Sequence, residues 1–122
     1  QEVWDCRLEN AAILQKEGVR FSLMADMAGD TAWLPMEIGV LLRHGLALDT
    51  ALEAVTVNPA RLVGAIDRIG TIEPGKDADI AIFDGMPFSN QTLCRFTMID
   101  GVIWNDTLPQ NEKTEETNGK RF

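Results

Sequence analysis

The sequence is poor in the residues from which metal centres and disulfide frameworks are usually built. Only two of its 122 residues are cysteine and only one is histidine. Cys6 and Cys94 are too few for a disulfide scaffold, and they lack the paired spacing of a structural zinc site. We therefore interpret both as ordinary buried or half-buried thiols in a reducing compartment, and we expect a cytoplasmic protein.

Basic clusters and long apolar runs are also missing. With 11 basic and 19 acidic side chains the formal net charge is −8, and the densest basic stretch is Lys120-Arg121, so a nucleic-acid partner is disfavoured. No stretch approaches the roughly 20 apolar residues that span a bilayer, and Glu2 and Asp5 stand where a signal peptide would be basic. We expect neither a nucleic-acid nor a membrane partner.

The composition is otherwise that of an ordinary globular protein, with 45% hydrophobic and 25% charged residues. Its length fits one domain or one piece of a larger domain. Because the chain opens with Gln1 instead of methionine, we interpret it as a fragment, a trimmed chain or a processed product.

The N-terminal half combines one strand with helices. Apolar residues at helical spacing predict a helix over about the first seventeen residues, with Gly18 as its stop. Residues 19–26 then alternate with a period of two, which predicts a strand that ends at Asp26. Phe21 and Leu23 would pack against helices on one face of this strand, while Asp26 would lie on the other face.

Three further helices are predicted after this strand. Pro35 opens the first, which Gly45 closes. Thr50 and Glu53 have the spacing of a capping box at the start of the second. Asn58 is expected to cap the third, a short helix that ends before a glycine.

After Gly70 the pattern becomes that of antiparallel β-structure. Proline and glycine at the centre of residues 73–76 predict a type II turn, and a strand follows over residues 78–83. Residues 95–99 alternate again, and Asp100-Gly101 is a strong signal for a two-residue hairpin turn before the next strand. From about residue 108 onward the chain is polar, and we predict a flexible tail.

Several of these segments together resemble a known family. The segments "GVRFSLMAD", "NPARLVG", "GTIEPGKDADIAIFD" and "MIDGVIWND", in this order, resemble the C-terminal part of the amidohydrolase superfamily. They are most similar to its imidazolonepropionase-like branch of metal-dependent hydrolases. The resemblance covers about residues 10 to 106.

The resemblance implies an α/β fold, namely the C-terminal fragment of a (β/α)8 TIM barrel with part of a small antiparallel β-domain. Residues 1–69 would be the last strand and helices of the barrel, residues 70–107 the small composite β-domain, and residues 108–122 the tail. The implied activity is metal-dependent hydrolysis of an amide or cyclic-amide C–N bond. The implied cofactor is a divalent metal, zinc, in the complete enzyme.

The resemblance also places Asp26 at the position of the metal-binding aspartate that ends the eighth barrel strand. The family usually has a small residue and then threonine or serine before this aspartate, and often histidine or proline after it. Here Met24 and Ala25 precede Asp26, and Met27 follows it. These departures put the metal role of Asp26 in question without removing it.

The residues themselves support a chemical role for Asp26 from another direction. In parallel barrels the active site lies at the C-terminal ends of the strands, where a carboxylate can bind a metal or accept a proton from water. We therefore interpret Asp26 as both the catalytic and the metal-binding residue, against the alternative that it only caps a turn. A catalytic zinc needs about three protein ligands, so Asp26 alone does not make a site.

Other candidate residues favour structural roles. His44, the only histidine, is interpreted as an ordinary residue in the last turn of a helix, and Asp79 as a carboxylate that bonds backbone in the β-domain. Asp30 and Trp33, in the loop after Asp26, are equally compatible with a substrate pocket and with plain loop surface. Met24, Met27 and Met36 are expected to fill the core.

Three hypotheses for function remain open. In the leading one, the chain is the C-terminal segment of an amidohydrolase and is inactive alone, because the rest of the barrel and the other ligands are missing. Its partners would be a small amide or peptide substrate and the rest of the barrel, in the same or another chain. The runner-up is a non-catalytic interaction module derived from an amidohydrolase, and a third is one half of a two-chain enzyme. Association into a homo-oligomer stays open.

Overall fold

The computed structural model describes residues 7–26 and 28–109. Helices form the N-terminal part of these residues, and a three-stranded sheet forms the C-terminal part. In chain order the elements are α1 (Asn10–Lys16), a 3₁₀ helix (Ala28–Trp33), α2 (Leu34–Arg43), α3 (Leu48–Val55), α4 (Val57–Leu62), β1 (Ile80–Phe83), β2 (Cys94–Ile99) and β3 (Val102–Asp106). The predictions for the first six residues, for Met27 and for the tail from residue 110 lie outside the described residues. Within the described part of the chain, no helix has the length and apolar character to cross a membrane.

Three helices end at the glycines that the sequence predicts as stops. At the end of α2, the Gly45 N–H donates to the Leu42 carbonyl at 3.2 Å, and the next N–H donates to the Leu41 carbonyl at 3.1 Å. This pair of bonds is the Schellman motif, and it requires the positive φ of 97° that Gly45 has. Gly18 and Gly64 close α1 and α4 with the same pair of bonds. The predicted helix ends are confirmed.

The start of α3 differs from its prediction. Ala47 is the residue that precedes the helix, and no side chain caps it, so the capping box of Thr50 and Glu53 is wrong. The helix begins at Leu48, so Thr50 already lies inside its first turn, where it is not the residue that precedes the helix. The Ala47 N–H donates instead to Gln15 Oε1 at 2.8 Å.

The start of α4 also differs. Thr56 precedes this helix and Asn58 lies inside it, so the predicted cap at Asn58 is wrong. Thr56 uses its hydroxyl on the preceding helix, since Oγ1 donates to the Leu52 carbonyl at 2.6 Å. The Asn58 side chain is therefore available for a contact outside its own helix.

Residues 19–26 do not form the strand that their alternation predicts. The described strands make one sheet in the order β1-β2-β3, and residues 19–26 pair with none of them. A strand needs the backbone of a neighbour to satisfy its N–H and C=O groups, and this segment lies against helices instead. The alternating pattern is present, but the described residues supply no strand beside it.

The buried core lies among the helices. It consists of Ala11, Ile38, Leu46, Ala51 and Phe88, with Phe21, Leu23, Leu34, Leu41, Leu42 and Val55 packed against it at the rim. Phe88 comes from the loop between β1 and β2, so this loop joins the sheet to the helices. Burial stabilises large apolar side chains such as Ile38, Leu46 and Phe88 by about 1.5–3 kcal/mol each, so this cluster contributes strongly to the stability of the helical part.

The sheet confirms the predicted antiparallel β-structure. β1 pairs with β2 and β2 with β3, with an irregularity of register in each pair. Asp100 and Gly101 join β2 to β3 with φ angles of 51° and 75°, the positive values that a type I′ turn requires at both central positions. The predicted turn at residues 73–76 is also present, because the Lys76 N–H donates to the Glu73 carbonyl at 3.2 Å.

Candidate active-site segment around Asp26

The segment of residues 19–26 is attached to the helices by two polar contacts. The Leu23 N–H donates to the carbonyl of Ala54 at 2.9 Å, and so satisfies one of the free carbonyls at the C-terminal end of α3. The amide Nδ2 of Asn58 donates to the carbonyl of Phe21 at 2.9 Å. Phe21 and Leu23 also pack against the core cluster, so the first half of the segment is held by both apolar and polar contacts.

The second half of the segment points side chains away from the helices. Leu23 and Ala25 are half-buried, whereas Met24 is 79% exposed and Asp26 is exposed. Phe21 and Leu23 therefore lie on the helix side, as the alternation predicts. An exposed methionine next to an exposed carboxylate marks this side as a surface that the described residues leave uncovered.

Asp26 itself lies at a bend, after which the 3₁₀ helix leads into α2. No hydrogen bond joins its carboxylate to another described residue, so the structure provides no turn contact for it. Trp33, at the end of the 3₁₀ helix, is 57% exposed and stays available as a wall of a pocket. The side chain of Asp30 lies outside what the structure describes.

Two residues have the structural roles that the sequence predicts. His44 is the C-terminal cap of α2, and its Nδ1 lies 3.6 Å from Glu9 Oε1. Asp79 accepts a hydrogen bond through Oδ1 from the backbone N–H of Asp100 at 2.8 Å. Asp79 thus fixes the turn between β2 and β3.

The expectation of a buried or half-buried side chain is wrong for Met24, Met36 and Cys94, whereas Met27 and Cys6 lie outside the described residues. Met24 is 79% exposed, and Met36 is 50% exposed in a groove of about 600 Å³ between α2 and the loop from β1 to β2. Cys94 is exposed rather than buried. No other described residues cover these side chains. Their apolar character alone does not show whether another segment packs over them.

The described residues do not by themselves fit a metal ion. They contain no group of three or more histidine, cysteine, aspartate or glutamate side chains that could hold one. Asp26 offers one carboxylate, whereas a catalytic zinc site uses about three protein ligands.

One charged contact was not anticipated from the sequence. Asp84, after β1, accepts the Leu93 N–H at 2.9 Å and the Arg95 Nε at 2.7 Å. The Leu93 amide and then the Arg95 guanidinium lower the pKa of the Asp84 carboxyl below its usual value. This contact closes the base of the loop that carries Phe88. Its partners are nine and eleven residues away, and no local motif signals such a pairing.

Comparison with known protein families gives a match over nearly the whole chain. Residues 7–118 match the model of the amidohydrolase family. The chain is 34% identical over 109 residues to an imidazolonepropionase of Geobacillus kaustophilus, a match that covers 86% of this chain and 24% of that protein. It is 35% identical over 77 residues to the imidazolonepropionase of Mesorhizobium japonicum, which covers 59% of this chain and 19% of that protein.

Comparison with solved structures gives the same kind of match. A crystal structure of an amidohydrolase from Thermotoga maritima superposes with a TM-score of 0.76 at 38% identity, over 82% of this chain and 26% of that one. A second amidohydrolase structure has a TM-score of 0.69 at 24% identity, and this likeness concerns the fold alone. The chain thus spans about a fifth to a quarter of the length of the relatives that it matches.

Proposed function

The chain belongs to the amidohydrolase family, and from this we propose that it is the C-terminal segment of a hydrolase that cleaves amide or cyclic-amide C–N bonds. Asp26 is proposed as its acidic catalytic residue, at the end of the last barrel strand. The observation that carries this proposal is the side-chain alternation at residues 23–26, which leaves the Asp26 carboxylate exposed on the side away from the helices. In a parallel barrel the active site lies at the C-terminal ends of the strands, where an inward-facing side chain at the last strand residue can reach it.

The proposed chemistry of Asp26 is proton transfer. Hydrolysis of an amide needs a water molecule that loses a proton as it attacks the carbonyl carbon, and a carboxylate at hydrogen-bond distance can accept that proton. Within the described residues this carboxylate has no hydrogen-bond partner that would compete for the role. Trp33, exposed in the next segment, is proposed as a wall of the substrate pocket.

The proposed cofactor is a divalent metal, and zinc is our candidate. The amidohydrolase family is generally metal-dependent. Since the described residues contain no cluster of three possible ligands, the other ligands have to come from outside them. Asp26 would contribute one carboxylate oxygen to such a centre.

The rest of the barrel is the proposed partner of this segment. Apart from the Leu23 N–H and the Phe21 carbonyl, no hydrogen bond within the described residues takes up the backbone groups of residues 20–26. A barrel strand whose backbone N–H and C=O groups are unpaired is incomplete, because in a closed barrel every strand is hydrogen-bonded to a neighbour on both edges. This supports a segment completed by further barrel strands, in the same or another chain, over an independent interaction module.

The exposed apolar side chains argue in the same direction. Leu62 is 80% exposed, Val63 72% and Trp104 72%. A self-contained module of this size would be expected to cover large apolar side chains more completely. The imidazolonepropionases among the relatives support a candidate substrate. We propose a cyclic amide of the imidazolonepropionate type as the first compound to test.

Replacement of Asp26 by asparagine tests the proposal. In the full gene product, Asp26→Asn keeps the size of the side chain but removes the proton acceptor, and we expect kcat for imidazolonepropionate to fall by about 10²–10⁴-fold. Steady-state kinetics measure the change. Asp67→Asn, which alters an exposed aspartate in the loop after α4, is the matched control and should retain parental kcat. Parental kcat in Asp26→Asn would contradict the assignment.

A further inference from the structure

We propose that Asn58 is a positioning residue that holds the Asp26 segment in place through the Phe21 carbonyl. The inference rests on the proposed function, because it assigns to Asn58 a part in the placement of the proposed catalytic carboxylate. It starts from a contact that reaches from inside α4 to a residue 37 positions earlier in the chain.

The first support is where the two polar contacts of the segment lie. In an extended chain, the N–H and C=O groups of residues i and i+2 point toward the same edge. The Phe21 carbonyl and the Leu23 N–H are such a pair, and they are taken by Asn58 Nδ2 and by the Ala54 carbonyl, each at 2.9 Å. The end of α3 and the Asn58 amide thus satisfy this edge as a neighbouring strand would.

The second support is the other end of the Asn58 side chain. Its Oδ1 is buried and has no hydrogen-bond partner among the described residues. A buried amide oxygen without a partner is unfavourable, so an apolar side chain would suit this position better if packing were its only role. The contact that an apolar side chain could not provide is the hydrogen bond from Nδ2 to Phe21.

The third support is the surroundings of this contact. A cavity of about 290 Å³ lies beside it, lined by Arg20, Phe21, Ser22, Asn58, Arg61 and Leu62. Packing on this side of the segment is therefore incomplete, and side-chain contacts alone do not fix the segment. Asp26 lies only five residues beyond Phe21 and three beyond Leu23, so these two hydrogen bonds are the nearest fixed points on its N-terminal side.

The test removes the donor without weakening the helix. Alanine is a better helix former than asparagine, so Asn58→Ala should leave α4 intact while it releases Phe21. Asn58→Asp keeps the shape of the side chain and replaces the donor by an acceptor. Asn105→Ala is the matched control, because Asn105 Nδ2 also donates to a backbone carbonyl, that of Cys94, at 3.3 Å within the sheet.

Amide hydrogen exchange by NMR is the first readout and needs no bound metal or substrate. On the 122-residue chain we expect the Leu23 amide to exchange about tenfold faster in both Asn58 variants, the scale of one lost hydrogen bond, while amides of α4 keep their parental rates. Asn105→Ala should leave Leu23 unchanged. If Asn58→Asp fails to fold because of its buried charge, Asn58→Ala alone decides. Parental exchange at Leu23 in Asn58→Ala overturns the inference.

Kinetics on the full gene product is the second readout. We expect kcat for imidazolonepropionate to fall about tenfold in Asn58→Ala with KM within a factor of two, since a displaced Asp26 affects proton transfer more than substrate binding. Asp26→Asn, assayed in parallel, separates the two proposals. Full activity of Asp26→Asn refutes the proposed function whatever the exchange result, whereas loss of activity there with parental kcat in Asn58→Ala overturns only the positioning role.

Discussion

Individual side chains in this molecule act mostly through backbone groups distant in sequence. Asp79 holds the Asp100 amide at the hairpin turn, Asn58 reaches Phe21, and Asp84 holds the Leu93 amide. Each is a polar residue whose partner lies nine or more positions away. The sequence can show that a polar residue stands in an otherwise apolar segment, as Asp79 does. It cannot show which backbone group that residue binds, because this depends on the fold.

Asp84 provides a pH-dependent test at this scale. Its folded-state pKa is lowered, first by the Leu93 amide and then by Arg95, below the value of about 3.9 of a free aspartate. The contact is therefore fully present above about pH 4 and is lost as the pH falls through the lowered pKa. We expect the NMR shift of the Leu93 amide to titrate below pH 4. In Asp84→Asn this titration should vanish, and a Leu93 shift that still titrates there would rule out Asp84 as its source.

Among the elements, the loop between β1 and β2 connects the sheet to the helices. Its base is closed by the ion pair of Asp84 and Arg95 at 2.7 Å, and its Phe88 is buried in the helical core. The loop backbone passes so close to α2 that a Cβ at Gly39 would collide with the Phe88 carbonyl oxygen. The absence of a side chain at Gly39 thus allows α2 and the loop between β1 and β2 to pack closely.

Gly39→Ala tests this contact. Alanine would favour the helix by about 1 kcal/mol, but the collision with a backbone atom should outweigh this and lower the free energy of unfolding by about 1–3 kcal/mol. Urea denaturation followed by circular dichroism measures the change. In a Phe88→Ala background the loop has lost its buried anchor and can move away from α2, so Gly39→Ala should lower the free energy of unfolding by less. An equal or more stable Gly39→Ala protein would contradict the close approach.

At the scale of the whole molecule, the described residues leave several large apolar side chains uncovered. The side of the 19–26 segment that carries Asp26 is open to solvent. Four residues of the sheet are each more than half exposed, namely Ile99, Val102, Ile103 and Trp104. The chain also spans only a fifth to a quarter of its relatives. These features agree with the proposal that further barrel strands complete the site.

Zinc content tests this proposal on the chain alone. Because one carboxylate cannot hold a zinc ion tightly, the purified 122-residue chain should retain much less than one zinc per molecule after dialysis, measured by atomic absorption. The Asp26→Asn chain should be indistinguishable from it. Stoichiometric, tightly bound zinc in the parental chain would show that its own residues form a complete centre, against the segment hypothesis.

The sequence alone determined the features that depend on neighbouring residues. Glycine stops at Gly18, Gly45 and Gly64 and the turn at Asp100-Gly101 are formed as predicted, since a backbone φ preference acts within a few residues. The family resemblance is confirmed for the same reason, because its motifs are contiguous. Local patterns also predicted the order of helices followed by antiparallel strands.

Only the tertiary structure decided where helices begin and what the 19–26 segment pairs with. Helix α3 begins at Leu48, after an Ala47 whose N–H is bonded by the distant Gln15 side chain, and Asn58 contacts Phe21 instead of capping its own helix. The role of Asp26 stays a prediction, because a carboxylate acquires its chemistry from surrounding groups that a local pattern cannot show. Strand pairing has the same physical origin: it needs a second backbone, whose presence is decided by chain segments far away in sequence.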